Sequence, residues 1–112
     1  MADVAIQSVG AWSVPVYPSL TLSDLRAISA DCQPVAAVVA TSEQANMLLA
    51  ASRQVPSIRR IGVVQPSQQH HSLVMPWAEA LAKGRERNTK LRNLLEHRTG
   101  RIRPEDTATL IY

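Results

Sequence analysis

The sequence predicts an α/β fold: a mostly parallel sheet with flanking helices. Apolar residues make up 46% of the chain but aromatic residues only 4%, with no Phe, so Val, Ile, Leu and Ala must build the core. The run Val35–Ala40 is apolar without interruption, which is typical of a parallel strand covered on both faces. Stretches of helical spacing alternate with such runs, which favours parallel pairing with functional loops at the carboxyl ends of the strands.

The first elements are predicted from apolar spacing and capping residues. Ala2–Ala11 has helical spacing, and residues 12–18 form a short extended stretch whose prolines confine it to a strand end or an edge. Thr21 and Asp24 form a capping box that predicts the start of a second helix, and Pro34 ends that helix.

The central elements follow the same alternation. Thr41 and Gln44 repeat the capping signal for a helix that runs from the strand at Val35–Ala40 to about Gln54. The residues expected to face inward from this helix are Ala45, Leu48, Leu49 and Ala51. Ile58–Val64 then reads as a second parallel strand.

The C-terminal half is predicted to contain two helices and a last strand. Residues 65–72 are polar and irregular. Pro76 suits the first turn of a helix that ends at Gly84, and an Arg-rich helix follows to about His97. Thr107–Tyr112 has the composition of a strand, which makes about four strands in all.

Composition bounds the class of protein. With 112 residues the chain has room for one domain and not for two. Cys32 is the single cysteine, which excludes a disulfide within the chain and a multi-cysteine zinc site. No apolar run reaches the roughly 20 residues that cross a bilayer, and no secretory signal opens the chain. We therefore expect a cytoplasmic location.

The candidate ligands and nucleophiles have simpler interpretations. His70 and His71 are adjacent, point in different directions and have no further ligand near in sequence, so we assign no metal site. Cys32 lies on the apolar face of a helix without a nearby basic partner, so we expect a small buried side chain and no nucleophile. No hydrolase elbow, Walker or dinucleotide motif is present, and no catalytic residue is assigned.

Positive charge is concentrated in one segment. The net charge is +3, yet residues 83–103 contain eight basic residues against Glu86 and Glu96, an excess of six. The basic residues are Lys83, Arg85, Arg87, Lys90, Arg92, Arg98, Arg101 and Arg103. The segment has no aromatic residue to stack on bases, so we expect a solvated helix and no nucleic-acid partner. The scattered aromatic residues Trp12, Tyr17, Trp77 and Tyr112 are interpreted as core or interface packing.

Two stretches together resemble the adenylate-forming superfamily, the AMP-dependent synthetases or ligases. Gly10–Thr21, with the sequence GAWSVPVYPSLT, is similar to that family's G-A-x-x-V-P-x-x-P segment. Arg103–Tyr112, with the sequence RPEDTATLIY, resembles the strand that leads into the family's phosphate loop, T-S-G-T-T-G-x-P-K-G. Among the subfamilies, the first stretch looks most like long-chain fatty acyl-CoA ligases.

The resemblance covers nearly the whole chain and implies a function for a parent enzyme. Such an enzyme would use ATP and Mg²⁺ to activate a fatty acid as an acyl-adenylate, and coenzyme A would then displace AMP. The phosphate loop would follow Tyr112, so no cofactor-binding or catalytic residue is carried over onto this chain. The resemblance also allows peripheral contact with a membrane in the parent.

We therefore expect residues 1–112 to be part of an N-terminal AMP-binding domain that is truncated at both ends. We expect this segment to be inactive alone and to have the remainder of the synthetase chain as its partner. No cofactor is expected to bind the segment by itself. Two alternatives stay open: a self-contained small α/β binding module, and a truncated synthetase remnant with an interaction role.

Overall fold

A computed structural model describes residues 2–65 and 70–112 of the chain. These residues form four helices: α1 Ala2–Ser8, α2 Leu22–Cys32, α3 Ser42–Ser52 and α4 Trp77–Thr99. They also form three strands: β1 Ala36–Val39, β2 Arg60–Val63 and β3 Val74–Pro76. The chain divides into two compact units, one containing the residues up to Val16 and from Gly84 onward, the other Tyr17–Lys83. The predicted α/β class is confirmed.

The second unit is built on a parallel sheet with the strand order β1-β2-β3. Ala37 of β1 is opposite Ile61 of β2, and Ile61 is opposite Val74 of β3. The strand β3 was not predicted. Pro76 ends this strand, and the following helix starts at Trp77, so the expectation that Pro76 lies in the first helical turn is wrong.

The helices α2 and α3 begin where their capping residues predict. Thr21 accepts a hydrogen bond from the backbone amide of Asp24, and the Asp24 side chain accepts one from the amide of Thr21. Thr41 and Gln44 form the same reciprocal pair at α3. Each pair satisfies amides that the first turn of a helix leaves without a partner. α2 ends at Cys32, followed by Gln33 in the left-handed conformation with φ 46°.

One face of the sheet forms the core with α2 and α3. Ile61 and Val63 of β2 are fully buried, and Leu25 of α2 joins the same cluster. Of the residues expected to face inward from α3, Ala45, Leu48 and Ala51 are buried, and Leu49 is partly buried and packs against the core cluster. The sequence therefore located most of this core.

The opposite face of the sheet is largely open in this unit, which corrects the expectation that Val35–Ala40 is covered on both faces. Ala36 is exposed and Val38 is 40% exposed, whereas Ala37 and Val39 pack against the core. On the open face a Cβ at Gly62 would lie 3.3 Å from Cε3 of Trp77. The indole ring therefore covers the middle of β2 on this side.

The first unit joins α1 to the C-terminal residues. Gly10, with φ 73°, follows α1 as the left-handed residue of a Schellman ending: its amide bonds to the carbonyl of Gln7, and the amide of Ala11 bonds to that of Ile6. Residues 12–18 and 107–112, predicted as strands, are joined instead by one isolated parallel bridge between Ser13 and Thr109. Pro15 and Pro18 in the first of these stretches lack the amide donors that a longer ladder would need.

The helix α4 continues through Gly84, so the expectation of two helices with a stop at Gly84 is wrong. A glycine interrupts a helix only weakly when nothing else favours a turn, because its cost is about 1 kcal/mol relative to alanine. The residues beyond Gly84 are good helix formers, and α4 extends to Thr99, two residues past the predicted end at His97.

Candidate functional site

The carboxyl ends of β1 and β2 lie where ligands bind in many parallel sheets. Beyond β1, the backbone amides of Ala40 and Thr41 both donate to Oε1 of Gln44, at 2.9 and 3.2 Å. Beyond β2, the amides of Val64 and Gln65 donate to the carbonyls of Val39 and Ala40, each at 2.9 Å. The amides of these four residues are already bonded within the protein.

A nucleotide phosphate needs several backbone amides that point toward it. The bonded amides at the ends of β1 and β2 do not provide such a cradle, so these described residues do not fit an ATP phosphate group.

One carboxyl group at this edge has a shifted pKa. The pKa of Glu43 lies below its ordinary value, first because its carboxylate accepts a hydrogen bond from its own backbone amide and second because of the Thr41 hydroxyl. Both bonds form at the start of α3, where the helix dipole also favours a negative charge. Glu43 is fully exposed, so this shift indicates helix capping and not a catalytic acid.

The first unit brings together the two stretches that carry the resemblance. The amide of Ser13 donates to the carbonyl of Ala108 at 2.9 Å, and the amide of Leu110 donates to the carbonyl of Ser13 at 2.9 Å. Ser13 is only 5% exposed, so the bridge is shielded from water. Residues that are about a hundred positions apart in sequence are thus paired directly.

Side chains of α1 and α4 support this bridge within the first unit. Nε2 of Gln7 donates to the Thr109 hydroxyl at 3.3 Å. The Thr99 hydroxyl donates to the carbonyl of Ser8 at 2.9 Å. The left-handed Gly10 then directs the chain from α1 into the bridge. The glycine of the G-A-x-x-V-P stretch therefore has a structural purpose, to end α1 and place Ser13.

A turn holds the entry to the C-terminal stretch. The amide of Arg103 donates to Oδ2 of Asp106 at 2.9 Å, and the amide of Asp106 donates to the carbonyl of Arg103 at 3.1 Å. These bonds form a turn at residues 103–106, where Pro104 and Asp106 are residue types that turns favour. An open depression beside the turn is lined by Gly100, Arg101, Arg103 and Asp106.

The histidine and cysteine candidates occupy structural positions. Nδ1 of His71 accepts a hydrogen bond from the amide of Leu73 at 3.1 Å, and the carbonyl of His71 accepts one from Val74 at 2.9 Å. His71 thus shapes the turn before β3. Cys32 is partly buried at the last residue of α2. Across residues 2–65 and 70–112, no three His, Cys, Asp or Glu side chains group together as metal ligands.

The aromatic residues correct another expectation. Trp77 packs against Gly62, but Trp12, Tyr17 and Tyr112 are 58%, 73% and 51% exposed, so core packing is wrong for these three. None of the described helices is long and apolar enough to cross a membrane.

The described residues thus have an α/β architecture in which the Ser13–Thr109 bridge pairs the two distant motif stretches. The family model described as AMP-binding enzyme matches residues 1–112, so the chain belongs to the AMP-binding enzyme family, the adenylate-forming superfamily. Comparison with curated proteins gives no match, and comparison with solved structures gives none.

Proposed function

We propose that residues 1–112 are part of an ATP-dependent, AMP-forming acyl-CoA ligase that activates a long-chain fatty acid and transfers it to coenzyme A. Within that enzyme these residues form a portion of the N-terminal domain and position the strand that precedes the phosphate loop. The remainder of the synthetase chain is their partner, and the cytoplasm is the proposed location.

The Ser13–Thr109 bridge is the observation that supports the proposal most directly. A phosphate loop works only if the strand before it is held in place, because its amides must surround the phosphates without reorganisation. Ser13 holds the residues that would lead into that loop through two backbone bonds, to Ala108 and Leu110. The match of the AMP-binding family over the whole chain supports the nucleotide class of the reaction.

In the proposed reaction the reacting groups come from the substrates, and residues 1–112 contribute structure. ATP, bound with Mg²⁺, would transfer its adenylyl group to the fatty acid carboxylate with release of pyrophosphate. The thiol of coenzyme A would then accept the acyl group with release of AMP. The amides of Ala40, Thr41, Val64 and Gln65 at the ends of β1 and β2 are bonded within the protein, so no reaction step is assigned to these residues. Their contribution is to hold the strand and the sheet in place.

The experiment that tests the proposal uses the complete reading frame that contains residues 1–112. The product is assayed for AMP release with ATP, Mg²⁺, coenzyme A and a series of fatty acids of increasing length. We expect AMP release that depends on both a long-chain fatty acid and coenzyme A, and no release from the isolated 112 residues.

Two other results would change the proposal. Pyrophosphate exchange with a carboxylic acid, but no thioester with coenzyme A, would keep adenylate formation and remove the acyl-CoA assignment. A preference for amino acids or aryl acids over fatty acids would remove the long-chain assignment.

Ser13→Pro in the complete enzyme supplies the structural control, because proline removes the amide that bonds to Ala108.

Ser13→Pro should lower the adenylation rate more than it lowers the affinity for the fatty acid, since its effect is on the position of the strand. Ser13→Ala keeps both backbone bonds and should retain activity. Equal activity of the two variants would mean that the bridge does not position the phosphate loop.

A further inference from the structure

The helix α4 carries a narrow seam at coiled-coil spacing. Gly84, Asn88, Leu91 and Leu95 follow one another at intervals of four, three and four residues, which places them on one side of the helix. Leu91 is 41% exposed and Leu95 is 38% exposed. We call these four residues the leucine seam. It ends at Arg98, which occupies the next seam position.

The leucine seam is exposed and available to a partner. No residue of α4 is buried, although the helix has 23 residues. A Cβ placed on Gly84 would meet no atom within 4 Å, so a neighbouring backbone could approach closely at that end. A helix of this length gains most of its stability by packing an apolar face, so an open seam indicates a missing contact.

Arginines line both sides of the leucine seam. In heptad terms, Arg85 and Arg92 occupy e positions and Arg87 occupies a g position, the places that face the flanks of a partner helix. The acidic residues Glu86 and Glu96 fall at positions away from the seam. Each flank therefore carries positive charge, from Arg85 and Arg92 on one side and from Arg87 on the other, where the next g position holds the exposed Leu94.

This charge pattern selects the partner. A second copy of the chain would place Arg87 opposite Arg92 in a parallel pair, and would place Arg85 near Arg92 in an antiparallel pair. Like charges at these positions disfavour pairing, whereas opposite charges set the choice of partner. A partner helix with Glu or Asp on its flanks meets the arginines in either orientation.

We propose that the leucine seam of α4, with Arg85, Arg87 and Arg92, is a docking surface for an acidic amphipathic helix. The partner helix carries an apolar strip of Leu or Ile, acidic residues on both flanks and a polar residue opposite Asn88. A buried Asn of this kind fixes the register of paired helices at some expense of stability.

The test uses the 112-residue protein and synthetic helices of about three heptads. The acidic probe has Leu in its seam, one Asn and Glu on both flanks. The matched probe has the same sequence with Lys on the flanks. Binding is measured by fluorescence anisotropy of the labelled probe, and heteronuclear NMR shifts identify the residues contacted.

We expect the acidic probe to bind and the basic probe not to bind. Binding should weaken at least roughly tenfold when the ionic strength rises from about 0.1 M to about 1 M, because the screening length falls from about 10 Å to about 3 Å. The shifts should map to Leu91, Leu95 and the flanking arginines.

Charge reversal provides the matched variants. The triple variant Arg85→Glu, Arg87→Glu, Arg92→Glu should bind the basic probe and lose the acidic one. A second triple variant, Lys90→Glu, Arg101→Glu, Arg103→Glu, changes the net charge equally but lies off the seam flanks. It should keep a clear preference for the acidic probe.

The apolar contribution is tested separately with Leu91→Gln and Leu95→Gln. Each should weaken binding of the acidic probe about tenfold without altering the salt dependence, because each removes a buried leucine contact from the complex.

Several results would overturn the proposal. These are no binding of the acidic probe at about 1 mM, equal losses in the two triple variants, or no effect of the leucine substitutions. Tighter binding to a single-stranded oligonucleotide or to phosphatidylserine vesicles than to the acidic helix would assign the basic surface to nucleic acid or to membrane instead.

Discussion

At the residue scale, Gly62 is a point of close approach between the sheet and a large side chain. Its missing Cβ leaves room for Trp77, whose Cε3 atom would lie 3.3 Å from that Cβ. Gly62→Val should destabilise the protein by about 1–3 kcal/mol, because a branched side chain must displace the indole ring. Urea unfolding followed by circular dichroism measures the change.

The variant Trp77→Leu is the control for this contact. In that background Gly62→Val should cost at least about 0.5 kcal/mol less, since the smaller side chain leaves space. Equal costs in the two backgrounds would show that the strain arises within β2 and not from Trp77.

Thr41 performs two tasks at the start of α3. Its hydroxyl accepts from the amide of Gln44 and holds the pKa of Glu43 below the ordinary value, after the contribution of the Glu43 amide. Thr41→Val should cost about 1 kcal/mol of stability and raise the pKa of Glu43 toward 4.5. A carbon-detected NMR titration of the Glu43 carboxyl follows the pKa.

The direction of the pH dependence follows from the lowered pKa. The contribution of Glu43 to stability is fully present above pH 4.5, its ordinary pKa, and is lost as the pH falls through the lower folded value. Thr41→Ser keeps the hydroxyl and should keep both effects. A Glu43 titration that is identical in the Val and Ser variants would exclude the hydroxyl as a cause.

At the element scale, the sequence predicted elements where local chemistry decides them. The capping boxes at Thr21 and Thr41 are satisfied by residues three positions away, so their structures are encoded locally. The strand β3 was missed because it has three residues and depends on pairing with β2. Its apolar run from Leu73 to Met75 was a signal, but the following Pro76 favoured a helix start.

The helix α4 shows the opposite error. Gly84 was interpreted as a stop from its residue type, but a C-terminal glycine ends a helix through a left-handed backbone and specific hydrogen bonds, as Gly10 does after α1. Gly84 is helical and meets nothing within 4 Å of its would-be Cβ. The heptad spacing from Gly84 to Leu95 was visible in the sequence, but the assumed break at Gly84 concealed it.

The two glycines therefore make a matched pair of predictions. Gly84→Ala should stabilise the protein by about 0.5–1 kcal/mol and raise the helical signal, because alanine lowers the entropy cost of the helix. Gly10→Ala should destabilise it by about 1–2 kcal/mol, since its φ of 73° is unfavourable for a residue with a Cβ. Thermal unfolding of the two variants gives both values, and a loss of stability in Gly84→Ala would mean that α4 is interrupted there.

At the scale of the whole molecule, two distant stretches predicted the family better than any single element. Gly10–Thr21 and Arg103–Tyr112 carried the resemblance, and the structure joins them through Ser13 and Thr109. Their pairing could not be predicted from strand propensity, because each segment forms a single bridge position.

The open face of the sheet leads to a prediction about how the whole molecule behaves in solution. Parallel sheets are almost always covered by helices on both faces, yet Val38 is 40% exposed and Val64 is 54% exposed. Such a surface favours self-association and binding of apolar dyes. Val38→Lys should therefore reduce both while changing the stability by less than about 1 kcal/mol.

Val39 is the neighbour whose side chain points the other way. It packs against the core, so Val39→Lys should destabilise the protein by about 3 kcal/mol or more, because it places an unpaired charge there. Light scattering, dye fluorescence and urea unfolding of the two variants separate the effects. If Val38→Lys destabilises the protein as much as Val39→Lys does, this face of the sheet is covered in solution. A further layer must then pack over β1, as helices usually do on both faces of a parallel sheet.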